Sequence, residues 1–262
     1  MSATLYQLLA LDLDGTLLDP RGEVSQQNYE AVLAAQQTGV KVVLASGRAP
    51  REIREIHRYL SLTTPFIAID GAIILNHNKD RILVHNPLPH PIVHSLHTII
   101  HRHDPAIEIH HEMQHGLDDS RSVHRSEMIG GLESPLTSTS IAINKLWFTG
   151  QSAAITAIQT HIQAELHHAC SWLAFDDISL SLYAKGTSKA HALQWLAARY
   201  GIPVSQIMAI GDNINDLEML HWAGLGIAMA NAHVNIRTIA KAETCSNSDH
   251  GVARAIERWI LR

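Results

Sequence analysis

Four aspartates fall in two short patterns, and their spacing is the clearest chemical feature of the chain. Asp12 and Asp14 stand two apart in DLDGT (Asp12–Thr16), and Asp212 and Asp216 stand four apart in GDNIND (Gly211–Asp216). Each pattern follows an apolar run, LLAL before the first and IMAI before the second. If each run is a strand and each pattern the loop beyond it, four carboxylates can face one pocket. Crowded anions repel strongly unless a cation sits among them. A donor set of oxygens without cysteine favours a hard ion, Mg²⁺. A single aspartate at a strand end is commonly turn chemistry or a helix cap. It is the conjunction of four that points to a metal.

Two more loops follow apolar runs, ASGR (Ala45–Arg48) and DGA (Asp70–Ala72). Ser46 and Gly47 offer a hydroxyl and a backbone N–H ahead of a helical pattern. Helix N-termini bind phosphate readily, although an ordinary N-cap would use the same serine. Lys189 follows Gly186, Thr187 and Ser188 at a helix start. A cation there opposes the helix dipole, which hints at a task other than helix stability. A solvated surface lysine is the plain alternative.

These loops need elements to position them. Leu8 to Leu13 reads as a buried strand. Ser25 caps a helix to about Thr38, which Gly39 ends. Val40 to Ser46 is a second strand, Pro50 opens a helix to about Leu60, and Pro65 to Asp70 is a third strand. Strands alternating with helices imply parallel pairing in a doubly wound α/β sheet. In such sheets ligands bind beyond the carboxyl ends of the strands, so all four loops are expected at one edge.

The middle of the chain breaks this rhythm. IILNHNKDRILVHN reads as a hairpin turning at HNKD, and Pro87, Pro89 and Pro91 as a linker. A helix is expected over about Ile92–His103, then a strand (Ile107–His111) and a poorly patterned stretch to about Thr139. Next come a strand (Asn144–Thr149), a helix (Ala153–His168) and strands around Leu173 and Leu180. The βα rhythm returns with a helix over Ser188–Tyr200, the strand QIMAIGD, a helix over Asn213–Ala223, a short strand in GLGIAMAN and a last helix from about Val252. The expected organisation is a discontinuous core, residues 1–83 and 185–262, around an inserted α+β unit, residues 84–184.

The gross numbers fit a packed globular chain. The chain has 262 residues, 46% of them hydrophobic, and a formal net charge of -5. A packed core is possible, and the basic surplus of a nucleic-acid binder is missing. The N-terminal stretch lacks the basic flank of a signal peptide, and no apolar run approaches the ~18 residues of a membrane span. A cytoplasmic protein is expected, with Cys170 and Cys245 as free thiols.

Together DLDGTLL, ASGR, the lysine of KGTSK and GDNIND resemble the haloacid dehalogenase superfamily in order and spacing. The inserted unit resembles the large α+β cap of its Cof-like sugar-phosphatase branch. MANA (Met229–Ala232) and CSNSDHGVA (Cys245–Ala253) are further matches to that branch. The resemblance covers both halves of the core and is architectural only over the cap. It implies a Mg²⁺-dependent phosphatase acting on a small phosphorylated metabolite: a sugar phosphate, a phosphorylated cofactor or a nucleotide. It implies Asp12 as the nucleophile and Asp14 as general acid, then base. Ser46, Gly47, Lys189 and Asn215 would lie at the phosphate. Mg²⁺ would be held by the Asp12 side chain, the Asp14 carbonyl and Asp212, with Asp216 close by. A carboxylate attacks a phosphate dianion only where positive charge cancels the repulsion, and Mg²⁺ with Lys189 would supply it.

There are two departures. The branch often has asparagine where this chain has Asp70, and Ala190 replaces the glycine after the motif lysine. An extra anion near a phosphate is costly unless it pairs or contacts the cap or metal.

Thirteen of the 19 histidines fall between residues 84 and 184. His90, His94, His97 and His101 share one helix face. With no carboxylate or cysteine in the stripe, a partly solvated face is expected rather than a metal site. Rivals to the phosphatase are a phosphomutase, a non-catalytic phospho-ligand sensor and a receiver-like domain. Intact Asp12, Asp14, Lys189 and Asp212 oppose the sensor. The inserted unit and the GDNIND loop oppose the receiver.

Overall fold

The computed structural model describes residues 5–77, 81–115, 122–127 and 141–262. Its centre is a parallel five-stranded sheet in the order β13-β12-β11-β1-β2. The strands are β1 (Leu8–Leu11), β2 (Lys41–Leu44), β11 (Ile207–Gly211), β12 (Leu225–Ala228) and β13 (Ala242–Glu243). β1 lies between β11 and β2, pairing Leu8 with Ile207 and with Lys41.

The apolar run of β1 is continuous because both of its faces are covered. Leu9 and Leu11 pack into one cluster with helix α1 (Gln26–Gln37) and helix α8 (Gly251–Trp259). Leu8 and Ala10 pack into another with α5 (Lys189–Tyr200) and α6 (Leu217–Trp222). Each fully buried leucine contributes about 1.5–3 kcal/mol, so the strand that leads into Asp12 is held from both faces. Ser25 caps α1 by accepting the Asn28 N–H, and Gly39 follows the helix at φ +90°.

The third expected strand behaves differently. β3 (Phe66–Ala68) pairs antiparallel with β4 (Ile73–Leu75), which pairs with β5 (Ile82–His85). This separate three-stranded sheet meets the parallel sheet through a parallel bridge from Ala45 to Ile67. The chain turns tightly over Ile69–Gly71 with positive φ at all three residues. That turn ends the strand before Asp70 and folds the segment back on itself. The hairpin reading holds for β4 and β5, while residues 78–80 of its turn lie outside the described residues.

A second unit follows. Its antiparallel sheet has the order β7-β6-β8-β10-β9. The strands are β6 (Ile109–His115), β7 (Ser122–Glu127), β8 (Ile141–Thr149), β9 (Cys170–Asp176) and β10 (Ser179–Ala184). Helices α3 (His90–His103) and α4 (Ser152–Glu165) pack on one face, in a core with Ile109, Leu146, Phe148 and Leu182. β7 went unpredicted because SVHRSE has no apolar alternation. The expected boundary at 83/84 falls inside β5, and Leu88 bridges to Ile143 just after it.

The histidine stripe divides on α3. His94 is exposed as expected, but His97 is buried and lies 2.9 Å, Nε2 to Nε2, from His111. Burial pushes the His97 imidazole down to about 4, with His101 and His94 adding to the effect. The helix turns that residue inward between Leu96 and Ile100, so the solvated reading fails there. Both cysteines are free thiols, Cys170 buried and Cys245 exposed. No helix among the described residues is long and apolar enough to cross a membrane.

Candidate active site

Asp12 follows β1, Ser46 follows β2 and Asp212 follows β11, so three adjacent parallel strands deliver their loops to one edge. Lys189 enters from the first turn of α5. Its side chain is fully buried, and its Nζ donates to Asp12 Oδ1 at 2.6 Å and to Asp216 Oδ1 at 2.7 Å. Burial alone would favour the neutral amine. Asp12, Asp216 and Asp70 outweigh it and hold the ammonium above its ordinary value. The lysine expected to oppose its helix dipole is thus paired with carboxylates.

The second oxygen of Asp216 accepts the backbone N–H groups of Asp212 and Asn213, both at 3.1 Å. Asp216 therefore ties the GDNIND loop to Lys189. Asp212 is anchored by Thr16, whose hydroxyl donates to Oδ1 at 2.8 Å. Gly15 has φ +77°, and a Cβ there would stand 2.3 Å from Asp212 Oδ2. Only glycine permits both that backbone and that approach.

Asp12, Asp212 and Asp216 place carboxylate oxygens within 4.8 Å of one another. Burial raises the Asp12 carboxyl well above the usual range, reinforced by Asp216 and Asp212 and opposed by Lys189. Burial and the Asp216 charge push Asp212 up to about 6. Lys189 alone does not balance this negative charge. The donors are oxygens, and the charge imbalance is one that a divalent hard cation would relieve, so the residues fit Mg²⁺. Asp12 and Asp212 are its side-chain candidates, because both Asp216 oxygens already have donors.

Asp14 points elsewhere. Arg48 grips it through both oxygens, Nη2 to Oδ1 at 2.5 Å and Nε to Oδ2 at 2.8 Å. Ser46 is buried, and its Oγ accepts the Arg48 N–H at 3.1 Å. A cavity of about 240 Å³ joins Asp12, Asp14, Ser46, Gly47 and Asn215 with Lys145 of β8 and Phe175 of β9. The parallel sheet and the second unit thus line one space.

Asp70 sits at φ +53° and is buried. Tyr183 of β10 donates its hydroxyl to Oδ2 at 2.7 Å, and Asn215 donates to Oδ1 at 2.8 Å. The Lys145 ammonium lies 3.7 Å from Oδ2. Burial would raise this carboxyl, but Lys145, Lys189 and the two donors hold it below its ordinary value. The extra anion is thus paired, and two of its partners come from the second unit.

Sequence reasoning brought together the residues that lie here, including Asn215, which touches Asp70. It gave no task to Arg48 or Thr16, although both stood inside the quoted motifs. Asn231 of MANA donates to the Gly15 carbonyl at 2.8 Å, and Asn247 of CSNSDHGVA to the Leu18 carbonyl at 2.8 Å. These two loops brace DLDGT from behind. Lys145 and Tyr183 carried no sequence signal, because their strands have no motif and Tyr183 lies 113 positions from Asp70.

A family model described as haloacid dehalogenase-like hydrolase matches residues 9–256. The chain is 29% identical to the 5-amino-6-(5-phospho-D-ribitylamino)uracil phosphatase YitU of Bacillus subtilis, covering 97% of each. It is 27% identical to the pyridoxal phosphate phosphatase YbhA of Escherichia coli, covering 97% of this chain and 99% of that one. Among solved structures, a haloacid dehalogenase-like hydrolase from Bacteroides thetaiotaomicron superposes with a TM-score of 0.80 at 26% identity, covering 97% of this chain and 99% of that one.

Proposed function

The chain belongs to the haloacid dehalogenase-like hydrolases, and from that premise we propose that it is a Mg²⁺-dependent phosphatase of a small phosphorylated metabolite, with Asp12 as covalent nucleophile. The observation that carries this reading is the buried Asp12–Lys189–Asp216 bridge beside Asp212, with Asp12 on the wall of a cavity that Ser46 and Gly47 also line. Its relatives include phosphatases of a pyridoxal phosphate and of a phosphoribitylamino-uracil.

The chemistry runs in two steps. An Asp12 oxygen attacks phosphorus as the ester P–O bond breaks, and Asp14, protonated from solvent once it leaves Arg48, gives that proton to the departing oxygen. Asp14 then takes a proton from water, which attacks phosphorus and frees inorganic phosphate and Asp12. Splitting one slow hydrolysis in two lowers each barrier. Lys189 fixes Asp12 and offsets charge, while Ser46, the Gly47 N–H and Asn215 orient the phosphoryl group. Asp12, the Asp14 carbonyl and Asp212, with Asp216 close by, would hold Mg²⁺, whose charge offsets the repulsion between carboxylate and phosphate.

The second unit, residues 84–184, acts in this reading as a cap. Lys145 and Phe175 on the cavity wall support that role. The poorly patterned stretch, Gly116–Thr139, lies outside the described residues except for β7. The reading also keeps the protein in the cytoplasm.

Phosphate release from an aryl phosphate tests it, with Mg²⁺, with EDTA, and with Asp12→Asn. Turnover that needs both the metal and Asp12 supports the reading. Isomerised product without free phosphate, or no turnover on a broad phosphometabolite panel, contradicts it.

A further inference from the structure

Among the described residues, three cationic side chains stand at the site, and two are hydrogen-bonded to carboxylates. Lys189 hydrogen-bonds two carboxylates, and Arg48 holds Asp14 through two bonds. Lys145 differs. Its ammonium is 3.7 Å from Asp70 Oδ2, an ion-pair distance beyond hydrogen-bond range, so that pairing leaves its N–H donors uncommitted. The Tyr183 hydroxyl has taken the same oxygen at 2.7 Å.

The strand fixes where this lysine points. On β8, Leu146 and Phe148 face the helices of the second unit, so Lys145 and Trp147 face the other way. The ammonium lies 5.6 Å from the Tyr183 ring centroid and 5.6 Å from that of Trp147. These rings flank the ammonium and restrict the side chain. It lines the same cavity as Asp12, Ser46 and Gly47. Gly47 is close by, since a Cβ there would stand 2.9 Å from the Asp70 oxygen that Lys145 approaches.

A phosphoryl group arriving between Asp12 and Asp70 brings further negative charge to a wall already rich in carboxylates. Resting on the phosphatase reading above, we propose that Lys145 binds the phosphoryl oxygens from the side of the second unit, completing the anion site that Ser46, Gly47 and Lys189 begin. Asp70 is its positioning residue: with Tyr183 and Asn215 it holds an anion that draws Lys145 to the cavity. Phosphate binding then depends on the second unit standing over the parallel sheet, which couples closure to substrate.

The test is calorimetric titration of inorganic phosphate, in Mg²⁺, into wild type, Lys145→Met, Lys145→Arg and the double variant Asp70→Asn/Lys145→Met. Loss of one charge-assisted contact predicts about tenfold weaker binding, or more, in Lys145→Met. Lys145→Arg keeps most of the affinity. A lysine that only neutralised Asp70 would be dispensable once Asp70 is neutral, so the double variant separates the two roles. It stays as weak as Lys145→Met if Lys145 binds phosphate. Wild-type affinity in either methionine variant overturns the proposal, as does a wild type that does not bind phosphate. Turnover of an aryl phosphate is followed in parallel. Lys145-dependent phosphate binding without any hydrolysis would sink the phosphatase reading and leave this one standing. Normal hydrolysis with Lys145-independent binding does the reverse.

Discussion

Lys189 Nζ lies 2.6 Å from Asp12 Oδ1, and neither side chain is more than 6% exposed. The pair joins the start of α5 to the end of β1. It is also held from behind, because the same ammonium donates to Asp216 at 2.7 Å. If Asp12 is the nucleophile, as proposed, a carboxylate fixed in this way loses little entropy on reaching an attacking position.

Lys189→Ala leaves two buried carboxylates without their partner. Removing one member of a buried ion pair typically costs ~3–5 kcal/mol. Chemical denaturation should show a loss of that order, and aryl phosphate turnover should fall at least ~100-fold. Stability within ~1 kcal/mol of wild type would contradict the buried bridge.

Asp216→Asn changes no volume, yet it should weaken the loop. The native side chain accepts from Lys189 on one oxygen and from two backbone N–H groups on the other. An amide must turn its NH₂ toward one of these donors. A loss of ~2–4 kcal/mol is expected from the stranded donors, with a larger drop in Mg²⁺ affinity than Asn215→Ala produces. Fluorescence titration of the metal checks the second part.

The same geometry explains how much could be read in advance. Asp12, Ser46, Asp212 and Lys189 were legible because each stands at a junction of strand, loop and helix, where apolar runs give way to small and polar residues. Asp70 was visible as an oddity, but its answer lies in Tyr183 and Lys145, which reach it only through tertiary packing. β7 and β13 were missed for a related reason. A strand of two residues, or one without apolar alternation, leaves no periodic trace. His97 was misjudged because a helix face shared by histidines says nothing of which way the helix rolls.

The charge on Asp212 sets a pH dependence. Its carboxyl is pushed up to about 6, above the ordinary 3.8, by burial and Asp216. The folded metal-free protein therefore binds more protons than the unfolded chain between those values. Stability from this group falls as pH rises through that window and levels off above it. Mg²⁺ binds the ionised form, so its stabilising effect must grow over the same range. The rise in melting temperature on adding Mg²⁺ should be small at about pH 5 and larger at about pH 7.5. An equal rise at both would count against Asp212 as a ligand.

Phe175 is 37% exposed and lines the cavity from β9 of the second unit. Phe175→Ala should raise KM for phosphate esters with bulky leaving groups by ~3–30-fold, given the usual worth of an apolar wall. Inorganic phosphate should inhibit the variant as it does wild type. A uniform change for all esters and for phosphate would argue that Phe175 shapes the fold and not the leaving-group pocket.

The covalent role proposed for Asp12 is open to direct capture. Asp14→Asn removes the base for the second step, while an aryl phosphate needs little help from an acid in the first, so the variant should accumulate the phosphoryl group. Acid quenching, borohydride reduction and peptide mass spectrometry should then find homoserine at position 12. Wild-type turnover by Asp12→Asn, or label at another carboxylate, would contradict the account.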